Sequence, residues 1–243
     1  MQTKSNLQNN YEDYSSGRVI YSGSGATNFP VRLSNQIFEM CKTHLYSNGN
    51  KGPYKIYDPF CGFAYTLTTL GFIYPSDIKE LYASDIDEKS LEFASKNLTL
   101  LSNEGINKRI AELEELIFKF DKESHKAALA SAYKLKAQLN RVNIKTTSFK
   151  QDILIQTSLP EFINNIDLVI VDLPYGKLAQ WANSTAQDNN CQTFLHNISN
   201  HLGAISIVAI TSDKKQLIEH QGYERIKKFN IGKRRTILLR KIN

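Results

Sequence analysis

The chain is poor in the residues that mark several functional classes. Only three cysteines occur, Cys41, Cys61 and Cys191. They are far apart, odd in number and without zinc-ligand spacing, so neither a zinc site nor a disulfide framework is expected. A reducing cytoplasm is the simplest home for such a chain. The five histidines form no HxxxH pair, and no metal site is expected. No run of about 18 apolar residues exists, which argues against a membrane-spanning helix. The first 17 residues are polar and carry no apolar signal core. Residues 1–17 read as a flexible arm, disordered or loosely docked. The phosphate-cradling patterns GxGxxG and GxxxxGK[ST] are also missing, which disfavours a dinucleotide or a nucleoside triphosphate. Acidic residues are absent from Arg225 to Asn243, a stretch that holds eight Lys/Arg.

What is present is ordinary globular material. The chain has 243 residues, 41% hydrophobic and 22% charged, enough for one large domain or one and a half. One domain over residues 18–243 is the expectation, as a monomer. The net charge of +6 permits a nucleic-acid partner without requiring one. The basic C-terminal stretch has two readings: edge strands guarded by lysine, or a phosphate-binding surface.

Helical apolar spacing marks residues 31–45, with Ser34 as the expected N-cap. A short strand covers Tyr54–Asp58, a helix follows over 66–74, and a second strand covers 80–85. Asp87 is placed to cap a helix with Leu91, Ala94, Leu98 and Leu101 on one face. Residues 103–140 read as two helices with a break near Asp121. Further strands are expected at 143–152, 166–172 and 204–210, the last two apolar enough to be buried on both faces. Residues 223–242 look like a β-hairpin. The alternation predicts an α/β fold: a mostly parallel, seven-stranded Rossmann-like sheet with an antiparallel C-terminal hairpin.

Open sheets of this kind bind ligands at the carboxyl ends of their strands. The first four strands are expected to end at Asp58, Asp85, Asp152 and Asp172. The loop "DPFCGFAY" after the first strand joins an acidic residue to a short glycine turn, which suits a positively charged ligand such as S-adenosylmethionine. Asp58 is assigned to its amino-acid end, with the backbone around Cys61, Gly62 and Ala64 packed beside it. Asp85 is assigned to the ribose hydroxyls. Asp152 either accepts from the adenine amine or caps the next helix. Cys61 is read as loop packing.

The segment "DLPYG" resembles the (D/N)PP(Y/F) motif of methyltransferases that modify exocyclic amino groups. There Asp172 and a carbonyl near Leu173 would accept the hydrogens of the amine and stabilise developing charge. Pro174 would stiffen the loop and Tyr175 would stack on the base. "YDPFCGFAYTLTTLG", "ASDIDEKSLEFASKNLTLL", "VDLPYGKLAQW" and "FPVRLSNQIFEM" together resemble the avilamycin-resistance family of ribosomal RNA guanine-N2 methyltransferases (AviRa-type). The resemblance spans most of the chain after Gly17 and includes a helical insertion, residues 103–140, before the third strand. It implies a class I methyltransferase that uses S-adenosylmethionine to methylate the N2 amine of a guanine in large-subunit (23S) ribosomal RNA. Alternatives are an amino-methyltransferase acting on a tRNA or DNA base, and a catalytically silent RNA-binding module. The family loop looks like DPCCGSGY, whereas Phe63 and Ala64 stand here in place of serine and glycine. That leaves two outcomes: a crowded cofactor, or an alanine accommodated at negative φ. An RNA face is expected from Arg32, Lys177, Trp181, Lys233, Arg234 and Arg235, the last three on phosphates.

Overall fold

The computed structural model describes residues 11–23, 29–139, 143–155, 159–173, 187–219 and 221–242. Among them lie six helices and seven strands: α1 (Val31–Ser47), β1 (Tyr54–Asp58), α2 (Tyr65–Ile73), β2 (Ile78–Asp85), α3 (Glu88–Thr99), α4 (Asn103–Phe120), α5 (Glu123–Gln138), β3 (Lys145–Lys150), β4 (Ile166–Asp172), α6 (Gln187–Ile198), β5 (Leu202–Asp213), β6 (Tyr223–Ile231) and β7 (Arg234–Lys241). They form one sheet in the order β3-β2-β1-β4-β5-β7-β6. The pairings among β1 to β5 are parallel, and β7 runs antiparallel between β5 and β6.

Alternation along each strand sends side chains into two cores. Ile56, Leu168, Ile170, Ile207, Ala209 and Leu238 face one, against α1 and the helices α2 to α5. Tyr57, Val169, Val171, Val208, Ile210 and Leu239 face the other, where Phe194, Leu195 and Ile198 of α6 pack. Central strands buried on both faces must be apolar at every position, which is why β4 and β5 read as continuous runs.

The helix ends follow local chemistry. Asp87 caps α3 by accepting from the Ser90 amide at 3.0 Å, as its position suggested. Ser102 caps α4 through the Gly105 amide at 3.0 Å. A side chain at Gly105 would lie 2.0 Å from the Thr99 carbonyl oxygen, so only glycine fits that corner. Asp121 ends α4 in the left-handed region, at φ 44, where the break in the helical pair was expected. Ser34 is not a cap. The helix starts three residues earlier, after Pro30, and the buried Ser34 hydroxyl donates to the Pro30 carbonyl at 3.4 Å. Proline fixes φ near its helical value and so sets the start itself.

The N-terminal arm is described from Tyr11 onward, and there it is docked. Tyr14 is buried, and its hydroxyl donates to Gln138 of α5 at 3.1 Å. Tyr65 donates to the Tyr14 carbonyl at 2.7 Å. Arg109 of α4 lies over the Tyr21 ring and donates to the Val19 and Arg18 carbonyls. No helix among the described residues is long and apolar enough to cross a membrane.

Candidate active site

The strand order reverses between β1 and β4, which makes their carboxyl ends the switch point of the sheet. Register fixes the geometry there. Asp58 pairs with Ala83, and β2 runs two residues further to Asp85. Tyr57 pairs with Val169, and β4 likewise outruns β1 to reach Asp172. Side chains two residues apart share a face. Asp58 therefore continues the face of Ile56, Asp85 that of Leu81 and Ala83, and Asp172 that of Leu168 and Ile170. Three carboxyls converge over one end of one sheet face, with Asp58 as the floor.

Asp58 is 5% exposed. Burial first, then the Asp85 and Asp172 carboxylates, push it up to about 8, against the pull of the Phe60 amide. That amide donates to its Oδ1 at 3.0 Å. Asp85 braces the loop below it: Oδ2 accepts from the Gly62 amide at 2.8 Å and Oδ1 from the Asp87 amide at 3.0 Å. Gly62 has φ +50, and a Cβ built there meets nothing within 4 Å. The loop thus leaves open space beside its backbone, next to the buried Asp58, which has no countercharge among the described residues. A compact cation-bearing ligand fits both features.

The altered half of the loop does not place its alanine at negative φ. Ala64 is completely buried at φ 52, in the left-handed region, where it precedes α2. The alanine adopts the glycine conformation rather than avoiding it. Phe63 is turned away to stack on Phe93 of α3, with ring centroids 4.4 Å apart and planes at 8°. Its carbonyl accepts from the Asn97 amide nitrogen at 2.9 Å. Asn97 also bonds the Tyr21 backbone in both directions, at 2.8 and 3.1 Å. Sequence reasoning passed over Asn97. Its signal was a polar residue in the buried stripe with Ala94 and Leu98.

Asp172 ends β4 with a carboxyl raised to about 6, chiefly by burial, while Arg234 lowers it. Its Oδ1 is buried without a hydrogen-bond partner among the described residues. Arg234 Nη2 stands 3.7 Å from Oδ2, and the guanidinium lies 5.4 Å from the Phe29 ring centroid. The Leu173 amide is tied to the Thr211 carbonyl at 2.8 Å, which anchors the start of the loop. Pro174, Tyr175, Lys177 and Trp181 lie outside the described residues.

Other expectations fall differently. Asp152 comes two residues after β3 ends, and it closes a turn rather than capping a helix: its Oδ1 accepts from the Leu154 amide at 2.9 Å. Cys61 is buried. Its thiol, pushed well above the usual range by burial and by Asp58 and Asp85, donates to the Gly62 carbonyl at 3.4 Å, so it packs the loop. Of the three cations placed on phosphates, Lys233 alone is exposed. Arg235 is half-buried and donates to the Gln216 carbonyl. Arg234 faces Asp172. Arg32 is exposed at the start of α1 and lines a groove with Gln36, Met40 and Lys227.

Comparisons with known proteins give the family. A family profile described as rRNA methyltransferase AviRa matches residues 1–234. The chain belongs to that family. It is an S-adenosylmethionine-dependent RNA methyltransferase. It is 30% identical over 232 residues to a 23S rRNA (guanine(2535)-N(1))-methyltransferase from Streptomyces viridochromogenes, spanning 94% of this chain and 91% of the relative. The solved structure of the rRNA methyltransferase AviRa from the same organism aligns with a TM-score of 0.84 at 28% identity, covering 94% and 92% of the two chains. TrmN from Thermus thermophilus aligns with a TM-score of 0.51 at 16% identity, over 86% of this chain and 48% of its own, a likeness of fold alone.

Proposed function

We propose that this AviRa-family enzyme methylates a guanine of large-subunit ribosomal RNA, and that it does so at N1. The DLPYG motif pointed to an exocyclic amine, and the family resemblance to guanine N2. The relative from Streptomyces viridochromogenes is named for N1, and the state of Asp172 favours that atom. The carrying observation is a half-buried carboxyl at the switch point, raised to about 6, with one buried oxygen that has no hydrogen-bond partner among the described residues.

The two guanine positions ask different things of the site. The N2 amine needs acceptors for hydrogens that it already carries. N1 has no free lone pair until its proton leaves, so its methylation needs a base. A carboxylate with a pKa near the working pH is suited to that task. Bound S-adenosylmethionine supplies a methyl group on a sulfonium and departs as the neutral thioether. Asp58 would hold its ammonium, the open backbone at Gly62 would lie alongside, and Asp85 would meet the ribose while bracing that loop. Asp172 would take the N1 proton. The target base would have to leave its stack to reach this depth.

A labelled methyl-transfer assay on unmodified ribosomal RNA, naked and assembled, tests the reading. Reverse transcription then maps the product, because N1-methylguanine blocks the pairing edge and stops the polymerase whereas N2-methylguanine is read through. Asp172→Asn should lower turnover about a hundredfold, with S-adenosylmethionine affinity changed less than twofold. A read-through product overturns N1 in favour of N2. Unchanged turnover in Asp172→Asn removes the base.

A further inference from the structure

The sequence offered Arg234 as a phosphate contact, and the structure places it beside Asp172. Its guanidinium lies against Phe29, which is 5% exposed, and stands 3.7 Å from Asp172 Oδ2. Arg234 shares the sheet face of Leu238, and so of Ile170 and Asp172. Position and packing both aim it at the end of β4. A partner at 3.7 Å is beyond good hydrogen-bond length, so the Asp172 carboxylate is approached without being saturated. A donor fork and an acceptor with no hydrogen-bond partner among the described residues therefore stand side by side at the carboxyl end of β4.

We propose that Arg234 and Asp172 together read the pairing edge of guanine, with Arg234 donating to O6 while Asp172 accepts from N1–H. This rests on the reaction proposed above. The matching is one of donor and acceptor order. Guanine presents the O6 acceptor beside the N1–H donor. Adenine presents an amine donor beside a bare N1 acceptor, the reverse order. Against adenine the guanidinium would face another donor and the carboxylate another acceptor. Sites that leave buried polar groups so mismatched reject the wrong partner strongly.

The same contact bears on rate. When the N1–H bond breaks, its electron pair is shared over N1, C6 and O6, and its proton rests on Asp172. Negative charge thus grows at O6 as the base is activated. A guanidinium already positioned there stabilises that charge without reorganising. N2 methylation places no such charge on O6, so an Arg234 effect on O6 is specific to the N1 route. Arg234 also holds the Asp172 carboxyl below where burial alone would put it.

The test uses a ribosomal RNA fragment carrying the mapped target as guanosine or as 6-thioguanosine. Sulfur replaces O6 as a poor acceptor and leaves N1–H and N2 in place. The parent enzyme should lose at least tenfold in kcat/KM from oxygen to sulfur. Arg234→Met should be slower on guanosine by about a hundredfold and should distinguish the two bases by less than twofold. Comparing the two ratios cancels the altered acidity of the thio base. Arg234→Lys keeps a charge beside Asp172, serves as the second variant should the methionine form fail to fold, and should show a drop smaller than the parent's. The acid limb of the pH–rate profile should move upward from about 6 in Arg234→Met, a shift that loss of packing alone does not produce. A sulfur effect equal to the parent's in both variants, or an unmoved acid limb, overturns the role of Arg234. No methyl transfer by the parent to guanosine RNA overturns the underlying reaction, and this reading falls with it.

Discussion

If Asp58 holds the cofactor's ammonium as proposed, pH should act on cofactor binding and on stability in opposite directions. Its carboxyl is held near 8 because burial and two neighbouring carboxylates penalise its charge. At pH 7 about nine-tenths of it is protonated. A cationic ligand removes that penalty, so binding should expel close to one proton. The dissociation constant for S-adenosylmethionine should fall about tenfold from pH 6 to 7 and about fivefold from 7 to 8. Calorimetry in buffers of differing ionisation enthalpy measures the protons released. The ligand's own amino group titrates near 8 as well, so Asp58→Asn is the control: it should bind weakly and without the slope. Stability runs the other way. The folded pKa lies above the ordinary 3.8, so stability present below about 3.8 is lost progressively as pH rises toward about 8. The gap amounts to an upper bound of about 4 kcal/mol at pH 7. Asn keeps an acceptor for the Phe60 amide and has no proton to retain. Asp58→Asn without ligand should therefore melt higher than the parent at pH 7, by about 2–4 °C per kcal/mol recovered, and near the parent at pH 4. Affinity that is flat from pH 6 to 8, with no proton release, would refute the reasoning.

Three further expectations rest on the surrounding loop and the sheet edge. Asp85→Ala removes both bonds that brace Gly62 and Asp87, and S-adenosylmethionine affinity should fall at least tenfold by calorimetry; an unchanged affinity moves the ribose role to Asp87. Ala64→Gly relieves a left-handed alanine at φ 52 and should stabilise the protein by about 0.5–1 kcal/mol in urea, since the strain of about 1–2 kcal/mol exceeds the added chain entropy; a loss of stability shows that the Cβ packing outweighs the strain. Lys227, Lys228 and Lys233 are exposed and have no ion pair among the described residues. Replacing all three with serine should flatten the salt dependence of RNA binding by up to about 0.7–0.9 per lost contact, and an unchanged slope makes them edge protection only.

The fold was legible where burial was two-sided. The apolar runs of β4 and β5 and the aspartates closing β1, β2 and β4 gave both the strands and the binding end. What escaped had nonlocal causes. β5 runs to Asp213, past the apolar run ending at Ile210. It does so because the buried Thr211 hydroxyl pairs with that of Thr236 on β7 at 2.8 Å. No window of sequence contains both residues. Asn97 escaped for the same reason: its three partners lie on Phe63 and Tyr21, far from it in the chain. Ala64 was read by the usual preference of alanine for negative φ. The loop is held instead by the Ala64 amide donating to the Cys61 carbonyl at 2.7 Å and by Asp85 on Gly62, and these override the local preference.

The basic tail shows why charge alone could not be assigned. Lys233, Arg234 and Arg235 are consecutive, so composition treats them as one patch. The backbone separates them. Lys233 sits in the turn between β6 and β7, exposed. Arg234 and Arg235 are the first residues of a strand, where successive side chains take opposite faces. β7 is antiparallel to β5, with Arg234 opposite Asp213 and Arg235 opposite Ser212. It therefore begins where the parallel strands end. Had it been parallel, its first residues would lie at the far edge of the sheet from Asp58, Asp85 and Asp172. The antiparallel return instead delivers a cation across the end of β5 to the carboxyl at the end of β4. One face choice then puts Arg234 beside Asp172, while the other leaves Arg235 on the Gln216 carbonyl. Topology, which the run of three basic residues does not encode, converts a generic basic patch into a charge placed against a single carboxyl.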